Sequence, residues 1–256
     1  MGFVCIVSPA KKMNVVDGPP SADALPQFIA RAEELKRVVQ SLTYEEAKAL
    51  WKCSDRLAQL NYERFACMDL RGEVSAAVAA YEGIQYQHMA PQVMSEEELT
   101  WMAEHLRIIS GFYGVLRPLD GVVPYRLEMQ ARLAVGSAHN LYEYWGDTLA
   151  RALAREADAV VNLASVEYAK AVLPWAEAAG LRVLTCVFGE VRGGRFVQRA
   201  TEAKAARGTF VRWCAERNAR ELDELQGFGE RGYLLDEARS DSKRLVFVRT
   251  ESQAGD

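Results

Sequence analysis

Near the middle of the chain, one run concentrates side chains that could recognise or transform an anion. It reads Ser110-Gly-Phe-Tyr-Gly-Val-Leu-Arg117-Pro-Leu-Asp120-Gly-Val-Val-Pro124-Tyr-Arg126-Leu-Glu128-Met129. It carries two arginines, an aspartate, a glutamate and two tyrosines on a backbone interrupted by three glycines and two prolines. So many interruptions exclude one regular element, and the run reads as a stiffened loop. Rigid, charged loops are where binding groups concentrate. The planar fork of Arg117 or Arg126 suits phosphate or carboxylate recognition. The same charges could instead form a structural knot, with Arg117 neutralising Asp120 and Arg126 neutralising Glu128.

Two further places supply polar groups at the ends of apolar runs. Phe3-Val-Cys-Ile-Val7 runs straight into Ser8-Pro-Ala-Lys11, and Asp158-Ala-Val-Val-Asn162-Leu-Ala-Ser165 precedes Tyr168 and Lys170. Strands of a parallel α/β sheet present ligand groups at their C-terminal ends. A core strand tolerates Asn162 only with its amide paired, which points to a ligand or a network contact. Ser8, Lys11, Arg117, Arg126, Asn162, Ser165 and Tyr168 are therefore expected to line one anion-binding cleft. Such a cleft would hold a nucleotide, a nucleobase or another phosphate-bearing molecule. If the cleft is catalytic, Lys11, Asp120 and Glu128 are the candidates, with Lys11 acting as nucleophile or proton carrier through burial beside arginines. The residues leave binding and catalysis both open.

A third feature is a charge asymmetry. Between Arg192 and Arg220 stand eight basic residues against two acidic ones, within a chain of net charge -4. That local excess suggests an anionic partner. A helix over about 201–218 would place Lys204, Gly208 and Arg212 on one face, with Arg207 beside them. The glycine would admit a phosphate backbone. Leu225-Gln-Gly227-Phe228-Gly229 is similar to the hairpin of helix-hairpin-helix motifs, whose glycines, here extending to Gly232, expose amide groups to phosphates. Contact with a phosphate backbone of this kind would show little sequence preference and strong salt dependence. The second helix of that motif would have to form from Tyr233-Leu-Leu-Asp-Glu237.

The elements that must position these groups alternate in type. Apolar spacing predicts a helix over about 22–42. Thr43-Tyr-Glu-Glu46 and Ser95-Glu-Glu-Glu98 are capping boxes, Ser54 caps a further helix to about Phe65, and Asp147 caps one through Arg155. Tyr81 to Tyr86 reads as a short strand or turn, and Leu106 to Ile109 as a strand entering the central run. Gly193-Gly194 joins two strands as a hairpin, and Arg244 to Val248 forms a last strand. No repeat or linker divides the chain, so a single α/β domain over residues 1–256 is expected, with a helical N-terminal region.

Composition excludes several classes. No stretch approaches a membrane span in length, and the N-terminus lacks the features of a secretory signal. Five scattered cysteines fit reduced thiols in a cytoplasm better than a disulfide framework. His88, His105 and His139 lie far apart without ligand spacing, so no metal or other cofactor is expected. A monomer is expected.

In combination these motifs resemble the YaaA-like family of bacterial peroxide-stress proteins. The resemblance runs from Ser8-Pro-Ala-Lys11 through the central block and Tyr144-Trp-Gly-Asp147. It continues through Asn162-Leu-Ala-Ser-Val-Glu-Tyr168 and Lys204-Ala-Ala-Arg-Gly208 to Gly227-Phe-Gly-Glu-Arg-Gly-Tyr233. It implies a mixed central sheet, a basic cleft and a helix-hairpin-helix-like element over about 201–240. It further implies double-stranded DNA as the partner and a role in limiting iron-dependent oxidative damage. Where the family often carries Gly-Asp-Val-Tyr this chain has Gly83-Ile-Gln-Tyr86, so no carboxylate role transfers there.

Overall fold

A computed structural model describes residues 2–249. Its centre is an eight-stranded sheet made by β1 (Phe3–Val7), β2 (Leu106–Ser110), β3 (Gly114–Leu116), β4 (Ala159–Asn162), β5 (Arg182–Arg192), β6 (Arg195–Val197), β7 (Tyr233–Leu235) and β8 (Arg244–Arg249). In space the order is β7-β8-β5-β4-β1-β2-β3, with β6 paired to β5. Strands β8, β5, β4, β1 and β2 run parallel, while β7, β3 and β6 are antiparallel to their neighbours. Every residue of β1, β2 and β4 is buried. A parallel sheet covered on both faces demands such unbroken apolar strands.

Around the sheet lie α1 (Ile29–Gln40), α2 (Tyr44–Trp51), α3 (Asp55–Ala66), α4 (Ile84–Met89), α5 (Glu96–His105), α6 (Thr148–Ala154), α7 (Val166–Ala169) and α8 (Ala200–Glu216). The helical N-terminal region is thus a long excursion between β1 and β2. Both capping boxes form: Thr43 Oγ1 accepts from the Glu46 amide, Ser95 Oγ from the Glu98 amide, and each glutamate answers the cap's own N–H. Ser54 and Asp147 precede their helices without a side-chain cap bond, and Asp147 pairs with Arg151 at 2.6 Å instead. The first helix starts at Ile29 rather than near residue 22. The preceding backbone is occupied elsewhere, with Asp23 N–H on the Leu119 carbonyl and the Ala24 carbonyl on Gly121 N–H. Tyr81–Glu82 is a two-residue strand against Lys12–Met13, and α4 follows it directly.

The Gly193-Gly194 hairpin is present, both glycines having positive φ (54° and 76°) as a tight β5–β6 turn requires. The helix-hairpin-helix element is not. Residues 222–232 make short 3-10 turns, and Tyr233–Leu235, where the second helix was expected, forms β7 against β8. Arg231 and Gly232 both take left-handed backbone, which breaks any helix entering that segment. Phe228 is fully buried, in an aromatic cluster with Phe188, Phe210 and Phe247 at ring separations of 5.0 to 5.8 Å.

Gly208 also has a structural post. Helix α8 crosses α4 so closely that a Cβ at Gly208 would lie 2.0 Å from the Gln85 carbonyl oxygen and 3.0 Å from the Met89 nitrogen. Backbone on both sides leaves nothing that can yield. Gly208→Ala is therefore expected to destabilise the fold by about 2 kcal/mol or more, read as a lower midpoint in urea denaturation. A glycine kept for a phosphate contact would give an unchanged midpoint.

Candidate functional site

The connection from β1 goes to β2 on one side, and the chain later returns to lay β4 on the other. The space beyond the C-terminal ends of β1 and β4 is therefore the switch point of the sheet, where open α/β folds bind ligands. Ser8 and Ser165 meet there although 157 residues apart in sequence: the Ser165 N–H donates to Ser8 Oγ at 2.8 Å, and the two hydroxyls lie 3.2 Å apart. The Tyr86 hydroxyl donates to the Ser8 carbonyl at 2.9 Å. Asn162, at the end of β4, is satisfied by protein. Its Oδ1 accepts from the Ala164 N–H at 3.0 Å and its Nδ2 donates to Thr185 Oγ1 at 3.3 Å.

The second half of the central run lies against this edge. Glu128 stands between two cations, 3.0 Å from Lys11 Nζ and 2.8 Å from Arg126 Nη2. Buried Tyr168 joins them, and burial, followed by the nearby Tyr125 and the carboxylates of Glu167 and Glu128, holds its phenol well above the ordinary range. Burial also raises the Glu167 carboxyl, opposed by the Gln130 N–H that it accepts at 3.2 Å. Arg126 is nearly enclosed, and its Nε has no hydrogen-bond partner among the described residues.

The space among Pro9, Ala10, Lys11, Tyr125, Arg126, Leu127, Glu128 and Tyr168 amounts to about 10 Å³, room for about one water. A cavity of about 730 Å³ opens on the far side of Glu128, lined also by Trp51, Lys52, Gln130 and Arg132. Lys11 is placed unlike a nucleophilic lysine. Its side chain is 65% exposed and leans on a carboxylate, where the catalytic reading requires burial beside arginines.

Arg117 and Asp120 do not join this group. The β2–β3 hairpin reverses the chain, with Ile108 opposite Leu116, so residues 117–120 return to the N-terminal edge of the sheet. There Arg117 Nη2 binds Glu156 Oε1, and Arg107 Nε binds Glu156 Oε2, both at 2.7 Å. Asp120 is buried and accepts the Arg117 N–H at 2.8 Å, a loop-closing contact. Glu156, which neutralises two arginines, stood outside every sequence motif and carried no signal.

Four of the eight basic residues between Arg192 and Arg220 are answered by carboxylates among the described residues, and one of those pairs reaches a distant partner. Arg192 and Arg199 bind Glu190 at 2.8 and 2.9 Å, Arg212 binds Glu216 at 2.7 Å, and Arg220 binds Glu104. Arg249 and Arg231 hold Glu202. Lys204 is exposed, whereas Gly208 and Phe228 are buried. A Cβ at Gly227 would lie 3.8 Å from the Trp213 ring, and one at Gly229 would lie 4.0 Å from the Gly227 carbonyl oxygen.

Fold and site together define a single α/β domain with a parallel-centred mixed sheet and polar groups gathered at its switch point. The family model described as peroxide stress protein YaaA matches residues 3–239. A UPF0246 protein of Desulfitobacterium hafniense (strain Y51) is 45% identical over 248 residues, covering 97% of this chain and 98% of the relative. One from Pediococcus pentosaceus is 46% identical over 246 residues, covering 96% and 98%. The chain belongs to the peroxide stress protein YaaA family. Among the described residues, no helix is long and apolar enough to cross a membrane.

Asp120 yields a pH prediction. Burial pushes its carboxyl up to about 6, against the pull of the Arg117 N–H and guanidinium. The folded state then holds a proton that the unfolded chain has released, so stability falls as pH rises from about 4 to about 6. Asp120→Asn keeps the acceptor and removes the charge. Urea midpoints of the variant should lose that component of the pH slope, and an unaltered slope would contradict the assignment.

Proposed function

We propose that the protein serves the peroxide-stress response by binding a phosphate-bearing nucleotide or nucleobase unit at the C-terminal edge of its sheet. The observation that carries this reading is the meeting of Ser8 and Ser165 at the switch point, from strand ends far apart in sequence. Lys11 reaches solvent beside them, and the 730 Å³ cavity beyond Glu128 gives space for a ligand of nucleotide size. A bound phosphate would draw Lys11 from Glu128, a charge-assisted exchange. Lys11→Ala should weaken AMP binding about tenfold in isothermal titration, the loss of roughly one charged hydrogen bond. Equal affinity in Lys11→Ala and Ser165→Ala would remove this edge from the account.

A second reading, double-stranded DNA, is favoured by the exposed Lys204 on α8, which makes no ion pair among the described residues. Arg195 on the adjoining hairpin and Arg217 at the helix end also face outward. In this reading the contact is made by side chains and not by a glycine hairpin, and it carries the role in limiting iron-dependent oxidative damage. Retention of a labelled duplex should fall with salt and fall further in Lys204→Glu/Arg212→Glu. Unchanged retention in the double variant would leave the DNA reading without its surface.

A further inference from the structure

Arg195, Lys204, Arg207 and Arg217 of the basic stretch make no ion pair among the described residues, and Arg207 is the one of these four that is not exposed. It projects from the middle of α8 and is largely withdrawn from water, yet its Nε has no partner, and the guanidinium makes no hydrogen bond or ion pair among the described residues. The neighbouring carboxylates are committed elsewhere: Glu190 to Arg192, Arg199 and Arg249, Glu202 to Arg231 and Arg249, and Glu216 to Arg212. The ionisable group that acts on it is Cys186, whose thiol burial keeps neutral. A guanidinium does not shed its proton, so the charge persists without a counter-ion.

Arg207 borders a cleft of about 640 Å³ that lies at the end of β4 and alongside Thr185, Cys186 and Val187 within β5. Asn162, Thr185 and Cys186 form its floor, Ala169, Leu173 and Pro174 one wall, and Arg207 with Gln198 the other. Lys170 stands on the rim, its ammonium 5.0 Å from the centre of the Tyr142 ring. None of the lining residues is acidic. The polar floor is biased toward donation as well. Asn162 Oδ1 is occupied by the Ala164 N–H, and Thr185 Oγ1 accepts from Asn162 Nδ2, which leaves the threonine proton free to point into the cleft.

We propose that this cleft is a binding site for a small organic anion, in which Arg207 takes a carboxylate or phosphate end and Leu173, Pro174 and Val187 cover an apolar or flat body. A planar fork matches either anion with two parallel bonds, and Thr185 adds a third. The occupant supplies the missing counter-charge, so binding relieves a desolvated cation that the folded protein otherwise carries alone. The inference deepens the reading of the sheet edge as a nucleotide site, since Asn162 closes the floor of this cleft from the strand that leads to Ser165. It adds, on α8, an anion-binding residue separate from Lys11.

The test uses the full chain with AMP, benzoate and inorganic phosphate as probes in isothermal titration, comparing wild type with Arg207→Gln and Lys11→Ala. Arg207→Gln should bind AMP and benzoate at least tenfold more weakly, while Lys11→Ala keeps the benzoate affinity. Equal affinity of Arg207→Gln and wild type for all three probes would overturn the site. Loss of AMP in Lys11→Ala with no effect of Arg207→Gln would retain the Lys11 edge alone. If Arg207→Gln does not fold, the Nε–H resonance of Arg207 in labelled wild type is followed during the same titrations. Its movement with benzoate supports the assignment, and a stationary resonance at saturating concentrations of all three probes refutes it.

Discussion

Ser110 ends β2 with a fully buried hydroxyl, and the arrangement of the switch-point edge follows from how that oxygen is satisfied. It accepts the N–H groups of Phe112 and Tyr113 at 3.1 and 2.9 Å, which sets the turn into β3. It also meets the Tyr125 hydroxyl at 2.6 Å, and Tyr125 in turn meets Tyr81 at 2.8 Å. Burial pushes the Tyr125 phenol up to about 12, so it stays protonated and can donate. An unpaired hydroxyl at such depth costs about 1–3 kcal/mol, so the chain of bonds specifies one position for the 125–129 segment. Gly111 lets that segment close in, since a Cβ there would come within 2.8 Å of the Leu127 carbonyl. Arg126 and Glu128 reach the sheet edge because Tyr125 is anchored.

Charge is distributed over this framework by carboxylates that each hold several cations, some from nearby in sequence and some from far away. Glu156, Glu190 and Glu202 each hold two or more arginines, and Glu128 holds one arginine and one lysine. Partly exposed pairs of this kind contribute little to stability singly, and they leave four of the eight basic residues between Arg192 and Arg220 unpaired among the described residues. What survives pairing is informative. Arg195, Lys204 and Arg217 survive in solvent and Arg207 survives in a cleft, and those two environments call for different partners.

The features legible in the sequence are the local ones. Two capping boxes, the strand ends at Ser8 and Asn162, the Gly193-Gly194 hairpin and the 106–110 strand all depend on residues within a few positions of one another, and the structure has them. The helix-hairpin-helix expectation failed because the fate of Phe228 and Tyr233 is decided by partners far away: the aromatic cluster around Phe188 claims one, and pairing with Arg249 claims the other. Gly208 was expected to admit a phosphate backbone, but the backbone that approaches it is that of α4, which no periodicity reveals. Arg117 and Asp120 were grouped with Arg126 because they share one motif. The hairpin at Gly111–Gly114 separates them, and only pairing information could have told.

That hairpin divides the 110–129 run into two mechanical units. Arg117 answers to Glu156 and Arg107 at one end of the strands, Arg126 to Glu128 and Lys11 at the other, with no charged partner in common. Strand rise places these ends on the order of 10 Å apart, a separation at which perturbations add. The longest uninterrupted motif in the chain is therefore no single lever. A lesion at Arg117 acts on how the sheet is held, a lesion at Arg126 acts on what the sheet presents, and a chain carrying both should show the two defects side by side without either deepening the other.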